Sequence, residues 1–128
     1  MEEYSYKKLK VYSKAVDFVA HVYDLLKQFP KEEQYALCDQ LRRAAVSIPS
    51  NIAEGMGRRS AKDRAHFVEI AYGSLLEVNC QMDVARRLEY IDEEEHKTMD
   101  SESIELAKML SGLRASLLST LDSPLSTK

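Results

Sequence analysis

Apolar positions recur three and four apart in four separate stretches, the spacing of one face of a helix. Ala15, Phe18, Val19, Val22, Leu25, Leu26 and Phe29 form the first stripe. Ser13 stands before it as a plausible N-cap, and Pro30 ends it. The second helix is predicted from near Lys31, where Pro30 and Glu32-Glu33 suit a helix N-terminus, to about Glu54. Its stripe is Cys38, Leu41, Ala45, Ile48 and Ile52. Gly55-Met56-Gly57-Arg58-Arg59 reads as a turn, and Ser60 with Asp63 as a capping-box-like start of the third helix. Phe67, Ile70, Ala71, Ser74, Leu75, Val78, Met82, Ala85 and Leu88 then share one side, closed by Tyr90-Ile91. Asp92 can cap the fourth helix, whose stripe is Ile104, Ala107, Leu110, Leu113, Leu117 and Leu121, with Leu106 and Leu118 beside it.

Four amphipathic helices, short connections and no strand candidate predict an all-α, antiparallel up-and-down four-helix bundle. Residues 1–128 read as one domain, with 1–12 a tethered arm and 123–128 a frayed tail. In the arm Tyr4, Tyr6, Leu9, Val11 and Tyr12 can dock while Lys7, Lys8 and Lys10 stay wet. Pro49 interrupts the second helix. It removes one backbone donor and presses on the carbonyl of Ala45, which predicts a kink. A proline there costs about 3 kcal/mol, which packing or oligomerisation must offset.

Composition changes this picture little. Four glycines and three prolines are few, consistent with long elements. No apolar run approaches the roughly 20 residues that span a bilayer, and the N-terminus lacks the order of a signal peptide. A cytoplasmic protein is expected, with Cys38 and Cys80 as reduced core residues. The net charge of −3 gives no overall attraction to nucleic acid. Its distribution is uneven, because Arg58, Arg59, Lys62 and Arg64 crowd one junction while Asp92 to Glu95 run together.

Candidate catalytic chemistry is sparse. A di-metal bundle site needs inward Glu-x-x-His pairs on two helices, and only Glu93 with His96 has that spacing. Neither cysteine has a histidine at helical spacing, and Gly55-x-Gly57 does not continue into a phosphate-binding loop. No enzyme, metal or cofactor is expected.

The paired arginines remain. Arg42-Arg43, Arg58-Arg59 and Arg86-Arg87 each put at least one guanidinium outside the core. They are read either as solvated faces pairing with nearby carboxylates, or as one surface that contacts phosphates. Asn51 and Glu54 follow Pro49 directly. The structural reading has Asn51 answering the freed carbonyl and Glu54 pairing with Arg58; the functional one has both lining an interface beside the kink. Gly73-Ser74 permits close approach of another backbone, or merely weakens the third helix by about 1 kcal/mol.

Leu9-Lys10-Val11-Tyr12, Phe29-Pro30, and the run from Gln40 to Gly55 containing Ser47-Ile48-Pro49-Ser50-Asn51-Ile52-Ala53-Glu54-Gly55 resemble the 23S rRNA intervening-sequence (S23-like) family. Ala71-Tyr72-Gly73-Ser74-Leu75, Glu77 and Gln81 extend the likeness. The resemblance implies a bacterial homopentamer of four-helix bundles. A related branch serves diversity-generating retroelements, where a basic pentamer associates with a reverse transcriptase and nucleic acid. Two features depart from the pattern: Glu89 stands where the family usually has glycine, and the charge balance is acidic.

The expected function is that of a non-enzymatic, self-associating bundle that binds RNA or a ribonucleoprotein. Arg42, Arg43, Arg58, Arg59, Lys62 and Arg64 would contact phosphates, and Pro49, Asn51, Glu54, Gly73 and Ser74 would shape packing. The alternative is a protein-binding scaffold without a nucleic-acid role, using Tyr23, Tyr72, Leu76 and Leu118.

Overall fold

The computed structural model describes residues 2–122, with side chains through residue 119. Leu121 as a core residue, and the tail over 123–128, lie outside what is described. Four helices carry the chain: α1 Lys10–Leu26, α2 Leu37–Met56, α3 Ala61–Arg87 and α4 Glu93–Asp122. Single 3₁₀ turns at Ser5–Lys8 and Lys31–Glu33 precede α1 and α2. Each helix packs on its neighbour in the chain, and α1 closes on α4, so the four surround one core. Among the described residues there is no strand.

Inter-helix contacts fix how the elements lie. Gln40 meets Gln81, Ser47 meets Ser74, and Gly55 lies against Phe67. Asn79 bonds Asp100 at 2.9 Å, His96 bonds Asp83 at 2.7 Å, and Arg114 pairs with Glu69. Residue numbers thus rise on one helix of each pair as they fall on the other. At one end Phe29 packs against Tyr90, with ring centroids 5.3 Å apart. There Gln28 also donates to the Tyr90 carbonyl, and the Tyr90 hydroxyl donates to Glu33 at 2.7 Å. The N-terminal 3₁₀ turn therefore lies at the other end, beside the α2–α3 junction, where it packs on α1 and α2.

Both α1 and α2 bury the residues their spacing predicts, except that Val19 is half-buried. Their boundaries differ. The first helix begins at Lys10 rather than after Ser13, because Val11 is already a core residue and extends the stripe by one turn. Leu9, not Ser13, is its N-cap, so the arm is shorter than predicted. The second helix begins at Leu37 rather than Lys31. The acidic pair occupies a single 3₁₀ turn, Tyr35 is exposed, and Ala36 has φ −120° and ψ −102°, outside the helical region. The helix continues across Pro49 and through Gly55, which is buried in its last turn; Gly57 is the C-cap.

In α3 the buried stripe is Ala65, Val68, Ala71, Leu75, Val78, Met82 and Ala85. Ile70, one residue before Ala71, and Leu88, the C-cap beyond the last turn, are predicted inside but are exposed; so is Cys80, on the opposite side of the helix from Val78 and Met82. In α4 the buried line is Met99, Ser103, Leu106 and Leu110, while Ile104 is half exposed. Both helix starts are capped as predicted. Ser60 Oγ accepts from the Asp63 amide at 3.0 Å, and Asp92 and Glu95 exchange bonds at 2.8 and 2.9 Å.

The α3 C-terminus closes through a left-handed residue, a position that suits glycine. Tyr90 N–H donates to the Ala85 carbonyl and Glu89 N–H to that of Arg86, a Schellman closure. That closure puts Glu89 at φ 65°, the left-handed region where a side chain crowds its own backbone. Glu89→Gly is expected to stabilise the fold by about 1 kcal/mol, since glycine has no Cβ penalty there. Thermal unfolding is expected to shift upward by about 2–5 °C. An unchanged or lowered midpoint would contradict this reading.

Candidate nucleic-acid interface

The α2–α3 junction gathers four of the six predicted phosphate contacts. As α2 ends at Met56, Arg58 and Arg59 fall in the connection and Lys62 and Arg64 in the first turn of α3. Arg64 Nε donates to the Arg58 carbonyl at 2.6 Å, tying the connection to the helix. The Arg58 guanidinium lies over the Phe67 ring, 4.7 Å from its centroid, and 3.7 Å from Glu54. Glu54 and Arg58 thus form the predicted helical-spacing pair. Arg59 and Lys62 are exposed and have no hydrogen bond or ion pair among the described residues. Asp63 is the acid nearest in sequence, and its amide is held by Ser60. The orphan amides at the start of α3 add partial positive charge to this end.

Arg42 and Arg43 are not part of that cluster. From Arg42, α2 runs fourteen residues on to its end at Met56, about 21 Å at 1.5 Å per residue, and Arg58 lies beyond that end. Arg42 donates to the Gln34 carbonyl at 2.8 Å, bracing the α1–α2 connection. Arg43 faces Asp39 at 3.2 Å. Both line a shallow groove with Tyr23, Val46, Ser47 and Ser50.

Asn51 and Ser74 form a polar rung beside Pro49. Asn51 Nδ2 donates to the carbonyl and to Oγ of Ser47, both at 2.8 Å, and Ser47 Oγ meets Ser74 Oγ at 2.9 Å. Asn51 therefore serves the Ser47 carbonyl, not the Ala45 carbonyl that Pro49 leaves free. Gly73 lies on the outer side of α3, and a Cβ there would meet nothing within 4 Å. The close backbone approach inside the chain is at Gly55, where a Cβ would lie 2.6 Å from Phe67 Cβ.

What the spacing could not reveal is that the arm joins this end. Lys7, Lys8 and Lys10 are exposed there, next to Tyr4 and the half-buried Tyr6. Tyr4 stacks on Tyr6 at 5.9 Å with 24° between the rings, and Tyr6 meets Tyr12 edge-on at 4.8 Å. Periodicity identifies each of these residues as wet or docking but carries no information on what lies beside them.

The remaining polar groups are structural by their contacts. His21 Nδ1 and Glu102 are 2.6 Å apart between α1 and α4. Lys14 pairs with Glu105 at 2.9 Å, and that hydrogen bond and charge hold the lysine pKa above its ordinary value. Burial pushes the Cys38 thiol up, partly opposed by Arg42, so it stays protonated and weakly nucleophilic at neutral pH. Among the described residues no three His, Cys, Asp or Glu side chains are placed to hold a metal ion. Nor is any helix there long and apolar enough to cross a membrane.

Comparison with curated proteins finds no match. Among solved structures, a protein of unknown function from the S23 ribosomal protein family of Bacteroides thetaiotaomicron aligns with a TM-score of 0.75 at 25% identity. The alignment covers 81% of this chain and 97% of that one. Residues 7–112 match the family described as 23S rRNA-intervening sequence protein. That span takes in the arm's lysines, all of α1 to α3 and most of α4, which places this chain in the 23S rRNA-intervening sequence protein family.

Proposed function

We propose that this protein is a non-enzymatic, self-associating helical bundle that binds RNA, alone or within a ribonucleoprotein, through the α2–α3 end. The observation that carries the reading is the cluster of Arg58, Arg59, Lys62 and Arg64, in which Arg59 and Lys62 are exposed and unpaired among the described residues. Solvated cations with no internal partner gain most from phosphate, because counterion release rewards each contact. Membership of the 23S rRNA-intervening sequence protein family favours RNA as the polyanion in this reading. Arg42, engaged at the far end of α2, is a positioning group for the α1–α2 connection in this reading, and Arg43 pairs with Asp39 within α2.

Self-association draws support from the outer side of α3. Leu76, Val84 and Leu88 are exposed there, and Ile104 of α4 faces Leu76 across a groove of about 430 Å³. Such apolar area on a helix already buried on its other side fits helix-to-helix contact between copies. A pentamer is the expected species in light scattering; a monomer at micromolar concentration would remove self-association. The same face favours the scaffold alternative if a different protein, resistant to nuclease, occupies it.

RNA binding is tested by a salt titration of affinity. The expected plot of log K against log salt is linear and steep, and Arg59→Ala with Lys62→Ala lowers its slope by about 1.4 for a single strand. Absence of binding by the folded protein at low salt would overturn the RNA reading.

A further inference from the structure

We infer that the N-terminal arm is a base-stacking platform, so that the RNA taken at this end is single-stranded. This rests on the RNA reading above and goes beyond it by naming the strand state and the residue that reads it. Tyr4 is 74% exposed, yet it is not loose. Its carbonyl accepts from the Lys7 amide at 3.1 Å, starting the 3₁₀ turn, and one ring face rests on Tyr6. Tyr6 in turn is braced by Tyr12 of α1. Tyr4 makes no other ring contact among the described residues, so most of its surface stays open to solvent. An aromatic ring held from behind and bare in front stacks an unpaired base at little ordering cost.

Charge around the ring fits the same partner. Lys7 and Lys8 on the arm and Lys10 at the start of α1 follow it, and the Arg58 to Arg64 cluster lies at the same end of the bundle. A backbone tracked by these cations would present its bases to Tyr4. Acids among the described residues there include Glu2 and Glu3, next to Tyr4 in sequence, Glu54 facing Arg58, and Asp63 at the start of α3. In a duplex the bases are stacked on one another and unavailable, so phosphate contacts alone would remain. The arm therefore discriminates strand state, whereas the junction supplies attraction to either form.

The test is fluorescence polarisation with the full chain at low salt. The probes are a 12-nucleotide oligouridine, a duplex RNA of the same length, and anionic phosphatidylglycerol vesicles. The wild type is expected to prefer the single strand. Tyr4→Ala is expected to weaken oligouridine binding about tenfold, with the salt slope and duplex binding unchanged, and Tyr4→Phe to restore it. Circular dichroism confirms folding, which an exposed arm residue leaves intact. If the wild type binds oligouridine and Tyr4→Ala binds equally well, or if the duplex is preferred, the platform is overturned while the RNA reading stands. If neither RNA binds, or only vesicles do, both fall.

Discussion

Leu106→Ala is expected to cost about 2–5 kcal/mol, while Ile104→Ala, two positions away on the same helix, stays within about 0.5 kcal/mol. Leu106 is 2% exposed and Ile104 50%. Removing three carbons from Leu106 loses their transfer free energy and leaves a cavity against the buried faces of its neighbours, which close packing cannot fill by small shifts. At Ile104 the removed surface is already half in water. Urea denaturation of the monomeric protein, at a concentration below self-association, measures both, with the midpoint moving and the slope constant. Low concentration matters because Ile104 belongs to the face proposed for self-association, which would add mass-action stability. Equal losses at the two positions would mean that α4 is rotated by most of a helical step from the placement described.

That pair also isolates where periodicity misled. From Leu110 onward the predicted and observed lines of α4 coincide, through the half-buried Leu113 and Leu117. Before Leu110 the true line passes through Ser103, a polar residue that is 5% exposed. A search for apolar spacing steps from Leu110 to Ile104 instead, although each residue turns the helix by 100°. The helix α3 failed in the same way at Ile70 and Leu88, because its apolar residues occupy two sides and a single stripe cannot be phased from them. By contrast α1 and α2 have unbroken stripes backed by polar faces, and their cores were legible.

The site was legible only where it is local. Arg58 and Arg64 lie within two turns of chain, and Glu54 with Arg58 within one, so helical spacing brings each pair together. Grouping Arg42 and Arg43 with them required distance, which residue type does not carry; the rigid rise of α2 sets them at its other end. The arm's arrival beside the junction depends on the order of four helices around the core, a long-range property. Cys80 illustrates the remaining limit. Cysteine is buried more often than most residues, yet its position, two residues from both Val78 and Met82 and so about 200° around the helix from each, turns it out of the core.

Two glycines inside helices should respond to alanine with opposite signs. Helix propensity favours alanine over glycine at both by about 1 kcal/mol. At Gly73 nothing within the chain lies within 4 Å of the added carbon, so that gain should appear nearly whole in the monomeric protein, at concentrations below self-association through this side of α3. At Gly55 the carbon would sit 2.6 Å from Phe67 Cβ and 3.3 Å from the Arg64 carbonyl oxygen. Neither atom can rotate away: one is fixed to the α3 backbone and the other is part of it. The start of α3 must therefore move off α2, and Gly55→Ala is expected to lose about 1–3 kcal/mol despite the propensity gain. Urea unfolding of the two variants against the wild type decides the signs. The displacement has a second consequence, because Phe67 carries Arg58 on its ring and Arg64 is bonded to the Arg58 carbonyl. Any movement of α3 away from Gly55 alters the spacing of the basic cluster, so Gly55→Ala should weaken RNA binding while leaving every cation in place. Full stability in that variant would mean the helices are not in contact at Gly55, and the cluster would then owe its shape to the connection alone.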